Sequence, residues 1–463
     1  MSQSTDTAST ALAERHSRRE VFGEPLRRLL ALSFSFLLLS VAMVGTAVHR
    51  APQLSVLDEA THADYAYEIS QGHVPAKGST IAPEILKEWS CHGTYNGYPV
   101  PPCASGGGAA AAYPGSGQNY NFGHPPLYYA VTGVIAELAD AVLPGNSHFI
   151  TLARMVGSLW LFAGMLVLYI ALRRLGARWQ LSAAGAILLP LCPQVLEASR
   201  AVTNDAAAGL SGALAVLILA RILVQRKLGW IIPALVTGFC AATKVLNALP
   251  MLSLAGILVV VAVIAWRDDH RDEARKLALI VLGVLAATLV VFAGWSLFQS
   301  GRGLPGWKSP IAGLSDHPVV GAPIAELFGA LFTGLQLLNA YSLAPQLNST
   351  WYNMWVRVLA FLGAASPVIL IAITKKRDVE RWLAGAALIG MITYPVLVEL
   401  QVYTSSGSYF PYVTPRYGMS MIPMLLACLV MVTERRRLDR SMLVGVVTGA
   451  AVSLTAVSGL LNS

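Results

Sequence analysis

About eleven runs of roughly 20 apolar residues, separated by short basic connectors, dominate this chain, and that is the length an α-helix needs to cross a bilayer. The runs are read at 29–48, 150–172, 180–198, 204–224, 229–248, 249–266, 277–298, 354–374, 382–403, 417–433 and 441–460. In hydrocarbon, backbone N–H and C=O groups must find partners inside their own segment, so the expected fold is an all-α polytopic membrane protein. Charged residues are only 13% of the chain, against about 25% in soluble proteins. The net charge of +8 does not describe a nucleic-acid footprint, because the basic residues sit in the connectors. No nucleic-acid partner is expected.

The connectors set the topology. Arg27 and Arg28 precede the first run, and RRLGAR (173–178), QRK (225–227), RDDHRDEARK (267–276), KKRDVER (375–381) and ERRRLDR (434–440) follow later ones. Placing all six in the cytoplasm puts the N-terminus inside and the C-terminus outside. Two further apolar stretches, 125–142 and 322–340, are then expected to lie at the outer surface, since a crossing at either would export a basic connector. In the first, Leu127, Val131, Val134, Leu138 and Val142 form one stripe, with Glu137 and Asp140 off it. The run Leu29–Val48 is long for a signal-peptide core and lacks a small-x-small exit, so it reads as an uncleaved span. Residues 1–24 have no apolar period and read as a disordered cytoplasmic tail before a single membrane domain, 25–463. Its largest polar feature is a first extracytoplasmic loop over 49–149, carrying surface helices.

Cys192, Cys240 and Cys428 fall inside apolar runs and read as small core residues. Cys91 and Cys103 fall in the outer loop, where a disulfide closing a loop of this size stabilises by ~3 kcal/mol in the chain-entropy model. The alternatives are two unlinked thiols or a metal pair without other ligands.

Chemistry concentrates in the same loop. LDEATHADYAYEISQG reads as a short helix with Asp58 at its start and Gly72 just past its end; Asp58 and His62 share one face, Tyr65 extends it, and Glu59 lies about 100° round. The alternative for Asp58 is a helix cap, with Glu59 favouring the positive end of the helix. The passages WSCHGTYNGYPVPPC and GQNYNFGHPPLYY carry rings suited to stacking on sugars or to anchoring at an interface; His124 serves a substrate or a turn. In SRAVTNDAAAG, Arg200, Asn204 and Asp205 share the outer face with Asp58, and Asp205 is alternatively an N-cap. Lys244, inside ATKVLNALP, is a charge at bilayer depth and so a functional candidate, with snorkelling as its alternative. Arg416 opens a late span from outside, Arg154 opens the second span from the same side with an interfacial anchor as its stronger alternative, and Arg302, Lys308, Asp316 and His317 lie in another outer loop.

Two carboxylate stations beside outward cations suit one reaction. A sugar on a polyprenyl phosphate loses that phosphate as an acceptor hydroxyl attacks its anomeric carbon. The attack needs a general base, and the departing phosphate needs fixed positive charge. The lipid tail needs an apolar groove.

LDEATHADYA after the first span, HPPLYY closing the loop, ARMVGSLW, SRAVTNDAAA and VTPRYGMSMIPMLLA occur in an order that resembles the C-type, lipid-phosphate-sugar-dependent membrane glycosyltransferases. That family includes protein O-mannosyltransferases, aminoarabinose transferases and bacterial relatives. The resemblance implies an inverting transfer outside the plasma membrane of a bacterium, in cell-envelope glycan or glycoconjugate synthesis. It matches Asp58 to the first-loop catalytic acid, Glu59 to its acidic neighbour and Asp205 to the second-loop acid. His62, His124, Tyr128, Arg200, Asn204, Lys244 and Arg416 form the expected substrate-binding set. The partners implied are a polyprenyl-phosphate sugar donor, membrane lipid, and a glycan, lipid or protein acceptor. The soluble domain that many relatives carry after their last span has no counterpart, which leaves the acceptor open. No cofactor is required by the spacing, although Asp58, Glu59, His62 and Asp205 suit a hard cation such as Mg or Mn. The alternative functions are a lipid-linked glycan transporter or flippase, and a non-catalytic envelope-assembly subunit. The two halves show no matching pattern of broken helices, which speaks against a transporter built from repeats.

Overall fold

Helices make up about three-quarters (76%) of the chain in the computed structural model, which describes residues 25–56, 58–94, 99–143, 148–310, 317–333, 337–338, 347, 349–410 and 413–459. The expected tail, 1–24, lies outside the described residues, as does Asp316. In chain order the helices are α1 (Leu26–Arg50), α2 (Glu59–Ser70), α3 (Pro83–His92), α4 (Leu127–Val142), α5 (Phe149–Arg174), α6 (Trp179–Ile187), α7 (Pro193–Arg200) and α8 (Ala208–Leu219). Then come α9 (Ile231–Thr243), α10 (Leu249–Arg267), α11 (Arg271–Ser300), α12 (Ile324–Thr333), α13 (Thr350–Ile373), α14 (Val379–Ser406), α15 (Ile422–Arg436) and α16 (Asp439–Ser458). A two-residue pair, β1 (His317–Pro318) antiparallel to β2 (Ser408–Tyr409), is the sheet among the described residues.

The chain is an all-α, multi-pass membrane protein. Among the described residues nine helical segments are long and apolar enough to cross a bilayer, against the eleven expected. The difference falls on two segments. The expected span at 180–198 is divided into α6 and α7, because Pro190 and Pro193 interrupt the hydrogen-bond ladder between them. The expected span at 229–248 yields only the 13 residues of α9, which stops at Lys244, whose backbone is extended (φ −166°, ψ 132°). Of the two stretches assigned to the surface, α4 has 16 residues, and α12 has 10 among the described residues.

The basic connectors gather at one end of the bundle. Arg178 pairs with Glu434 and Asp439, Arg435 with Asp378 and Glu380, Arg377 with Asp268, and Arg226 with Glu273. Arg28 lies over the Trp179 ring. These exposed pairs contribute little energy each; their value is as a ruler, since they join all six basic stretches. α1 and α5 therefore have Asp58 and Arg154 at the opposite end, and α15 has Arg416 there.

The central helices are the most buried. Asn204–Val224 and Pro415–Arg436 are about four-fifths buried within the bundle (78% and 83%), whereas α11 keeps Leu279, Leu282, Leu285, Leu289, Val290 and Phe292 exposed, as contact with lipid tails requires. Glycines allow the closest crossings: a Cβ on Gly157 of α5 would meet the Ser199 carbonyl, and one on Gly212 of α8 would meet that of Ser420.

The first loop has its own core. Leu54, Tyr65, Trp89, Tyr113, Tyr128 and Tyr129 pack with Phe149, Trp160 and Leu210 from the bundle. α4 turns Tyr128, Tyr129, Thr132, Gly133 and Ala136 toward α2, while Val134, Leu138 and Val142 of the expected stripe face outward. That is the arrangement of a helix resting its apolar face in an interface. Cys91 and Cys103 form a disulfide, and Cys192, Cys240 and Cys428 are free and buried.

Candidate active site

Three of the spans begin with a tight 3₁₀ turn at the end opposite the basic connectors: Asn204–Ala207, Val245–Ala248 and Pro415–Met421. Each turn carries or directly follows a candidate residue, respectively Asp205, Lys244 and Arg416. The tighter winding leaves polar groups off the helical ladder, facing the first loop.

Asp58 sits one residue before α2 in a left-handed conformation, φ 61° and ψ 24°, and its side chain makes no capping hydrogen bond. A cap needs an extended backbone, so the alternative role considered for Asp58 fails on geometry. Its carboxylate instead faces Arg416, Oδ2 lying 3.1 Å from Nη2, and accepts from the Tyr120 hydroxyl at 3.0 Å through Oδ1. Both charged side chains keep some access to solvent, 27% for Asp58 and 18% for Arg416.

Asp205 is likewise no cap. Thr203 takes that part by accepting from the Asp205 N–H, and the Asp205 carboxylate meets Lys244 at 2.5 Å. Lys244 is 5% exposed, so it does not snorkel away. Lys244 and Arg416 both lie against Tyr417, at 5.6 and 5.4 Å from its ring centre. The second pair is thereby joined to the first.

Two histidines close the cluster. His62 bonds the Tyr129 hydroxyl through Nδ1 at 2.7 Å and stacks on His124 at 5.8 Å. Burial first, then the positive field of Lys244, pushes His124 down to about 4, against the opposing pull of Asp205 and Asp58. Burial and His124 also hold His62 well below the usual histidine range. Both rings are therefore neutral at pH 7, and the four charges of Asp58, Asp205, Lys244 and Arg416 balance. The Asn204 amide and the Arg416 Nε are buried with no hydrogen-bond partner among the described residues. Buried polar groups rarely go unpaired, so both are ready for a polar ligand.

Other expected residues lie elsewhere. Glu59, adjacent to Asp58, is fully buried and accepts from four donors: Ser55 N–H, Val202 N–H, and Nε and Nη2 of Arg154 at 2.6 and 2.8 Å. Burial pushes its carboxyl up, but Arg154, Arg200 and the Ser55 N–H together hold it below the usual range. Arg200 grips Glu197 through two bonds of 2.6 and 2.7 Å and is fully buried. Tyr128 is buried too, its hydroxyl accepting from the Thr203 N–H at 3.1 Å. Arg302 donates to the Val74 carbonyl and His317 sits in β1 beside Tyr409, so neither joins the cluster. Tyr120 and Tyr417 lie outside the expected set of site residues. The available signal was position: each neighbours a residue of interest, in NYNF and PRYG. Among the described residues no group of three or more His, Cys, Asp or Glu is set to hold a metal ion.

Asp64 of α2 is a further buried carboxylate. Asp64 accepts from the Ala82 N–H and the Asn119 amide, both at 2.7 Å, and Asn119 in turn accepts from the Asn121 N–H. Burial raises Asp64 to about 7 despite these two bonds. In the unfolded chain it titrates near 4. Between those values the folded state binds the extra proton, so this group favours folding below about pH 4 and loses that contribution as pH rises toward 7. Asp64→Asn removes the titration. Parent stability, measured relative to this variant by thermal melting, is expected to fall as pH rises from about 4 to about 7; a constant difference across that window contradicts it.

No protein-family model and no curated protein matches the chain. Solved structures do. ArnT from Cupriavidus metallidurans bound to undecaprenyl phosphate is 17% identical with a TM-score of 0.45, covering 91% of this chain and 62% of its own. The protein O-mannosyltransferase Pmt1-Pmt2 complex of S. cerevisiae bound to the sugar donor is 15% identical with a TM-score of 0.38, covering 61% of this chain and 35% of its own. The chain thus spans about three-fifths of the first neighbour's length and one-third of the second's.

Proposed function

We propose that the chain transfers a sugar from a polyprenyl-phosphate donor to an acceptor hydroxyl at the end of the bundle away from the basic connectors, the outer face of the plasma membrane by the positive-inside rule. The observation that carries this reading is the double ion pair, Asp58 with Arg416 and Asp205 with Lys244, around Tyr417. An anionic phosphate entering there competes with both carboxylates for both cations. Arg416 and Lys244 then hold the phosphate, and Asp58, released from Arg416, accepts the proton of the acceptor hydroxyl. The acceptor oxygen bonds to the anomeric carbon as the carbon–oxygen bond to phosphate breaks, and the electron pair leaves on the phosphate. A single displacement inverts the anomeric centre. The neutral His62 and His124 add no positive charge to compete for the phosphate and present ring faces or lone pairs to the sugar. Asp205 keeps Lys244 charged and in line, while the Asn204 amide is a donor and acceptor for sugar hydroxyls.

Glu59 and Arg200 support the site from behind in this reading, because their polar atoms are already engaged. A divalent cation such as Mg or Mn would have Asp58 and Asp205 as its carboxylate ligands. Envelope glycan or glycoconjugate synthesis supplies such donors.

The test is incubation of purified protein with a panel of polyprenyl-phosphate sugars and acceptors, scoring polyprenyl phosphate release with and without a chelator. One donor is expected to release the lipid phosphate in an acceptor-dependent way. Lys244→Met is expected to raise the donor KM and to lower kcat together, because it removes a phosphate contact used in both the ground and the transition state. Intact protein that turns over no donor, or a Lys244→Met variant with parent kinetics, contradicts the reading.

A further inference from the structure

Every residue from Ala51 to Ser55, the strap between α1 and Asp58, is tied to its surroundings by backbone or side-chain bonds. Arg200 donates to the Ala51 carbonyl at 3.2 Å, and Arg154 donates to those of Pro52 and Gln53 at 2.9 and 3.0 Å. Leu54 donates to the Gly93 carbonyl. Ser55 donates its N–H to Glu59 at 2.6 Å and its hydroxyl to Glu197 at 2.9 Å. The last bond joins the two ion pairs, Glu59–Arg154 and Glu197–Arg200, all four side chains of which are at most 1% exposed. Glu59 reaches one step further. Its Oε1 also accepts from the Val202 N–H, two residues before Asn204 and three before Asp205.

Three residues beyond the strap, Asp58 has an unusual backbone. Left-handed geometry is costly for a residue with a Cβ and persists only where the surroundings enforce it. Asp58 makes no local side-chain bond that would favour it, so the enforcement comes from outside the residue.

We propose that Glu59, Arg154, Glu197 and Arg200 are positioning residues: this buried, doubly paired clamp holds the strap so that Asp58 is fixed in its left-handed conformation, aimed at Arg416, and held in register with Asp205. The kinetic part rests on the reading of Asp58 as the base; the backbone part does not. The charges in the clamp balance, and neither guanidinium has a free face toward the cluster around Tyr417. Arg154 and Arg200 therefore act on substrate only through Asp58 and the 202–205 segment.

Two variants loosen the clamp. Ser55→Ala removes the bond that joins the two ion pairs and little else. Arg154→Lys keeps the charge but cannot span Glu59, Pro52 and Gln53 at once; if it does not fold, Ser55→Ala carries the test. In the folded variants kcat is expected to fall about 10-fold for Ser55→Ala and up to about 100-fold for Arg154→Lys, with the donor KM within about threefold of parent, because misplacement of the base leaves the phosphate grip intact.

A second readout needs no activity. In the parent background Asp58→Gly is expected to melt higher than Asp58→Ala by at least about 1 °C, because glycine occupies left-handed space without strain. In the Ser55→Ala background that gap closes, since residue 58 relaxes. A closed gap with unchanged kcat supports the clamp and removes Asp58 as the base. An unchanged gap, or a KM that rises while kcat holds, overturns the clamp.

Discussion

Asp58→Asn is expected to lower transfer by about 10²–10⁴-fold, the usual contribution of a positioned general base. Asparagine keeps the size of the side chain, tolerates the left-handed backbone at φ 61° and can still accept from Tyr120, so α2 is expected to survive. What it removes is the negative charge that draws the acceptor proton and pairs with Arg416. Donor binding is expected to tighten slightly or stay unchanged, because the phosphate no longer competes with a carboxylate for Arg416. Single-turnover kinetics with a saturating donor, alongside a donor-binding isotherm, reads the two effects separately. A variant that transfers at the parent rate, with expression unchanged, sinks the assignment and moves the search for the base to Asp205.

Arg154→Met is expected to cost about 3–5 kcal/mol, since it strips a buried carboxylate of its charge partner. That is a large part of the roughly 5–15 kcal/mol that separates most folded domains from their unfolded chains. Glu59 would keep only the Ser55 and Val202 N–H groups, and the carbonyls of Pro52 and Gln53 would lose their donors. The second change Glu59→Gln, added to Arg154→Met, is expected to recover part of the loss by removing the uncompensated charge. Thermal melting of the detergent-solubilised proteins checks the order: parent highest, double variant next, Arg154→Met lowest. Equal melting of parent and Arg154→Met would falsify the view of this pair as a structural lock.

Much of the architecture is local information. The spans follow from continuous apolar runs, and the grouping of the six basic connectors follows from their spacing relative to those runs; the ion pairs Arg178–Glu434, Arg377–Asp268 and Arg226–Glu273 join the same stretches that the topology rule collected. The segments at 180–198 and 229–248 mark where local reading falls short: each runs between the two ends of the bundle without forming a single helix of spanning length. In the first, Pro190 and Pro193 divide an apolar run that reads as continuous. At Lys244 the helix ends because the side chain is drawn to Asp205, a partner 39 residues earlier in the chain.

The candidate site divides in the same way. Asp58, Asp205, Lys244, Arg416 and the two histidines were each notable in their own windows, and the structure gathers them around Tyr417 and Tyr129. Their partners were not legible. From spacing alone Asp58 and Asp205 were as good as helix caps, and only the left-handed backbone of one and the Thr203 cap beside the other exclude that. The one-residue step that places Glu59 about 100° round the helix from Asp58 was legible, but not what it turns toward. In the bundle Arg154, 95 residues away, meets it.

The sequence by itself determined that the chain spans a membrane many times, which stretches share an end, and which residues bring charge to the other end. Transfer from water to hydrocarbon is summed residue by residue, so it can be read in a window of about 20 residues. Only the tertiary structure decided which carboxylate meets which cation, and so which acids join the cluster around Tyr417 and which are locked behind it. Those pairings join residues from 39 to 358 positions apart, and their energies depend on burial and on distances of a few ångströms that helix packing alone sets.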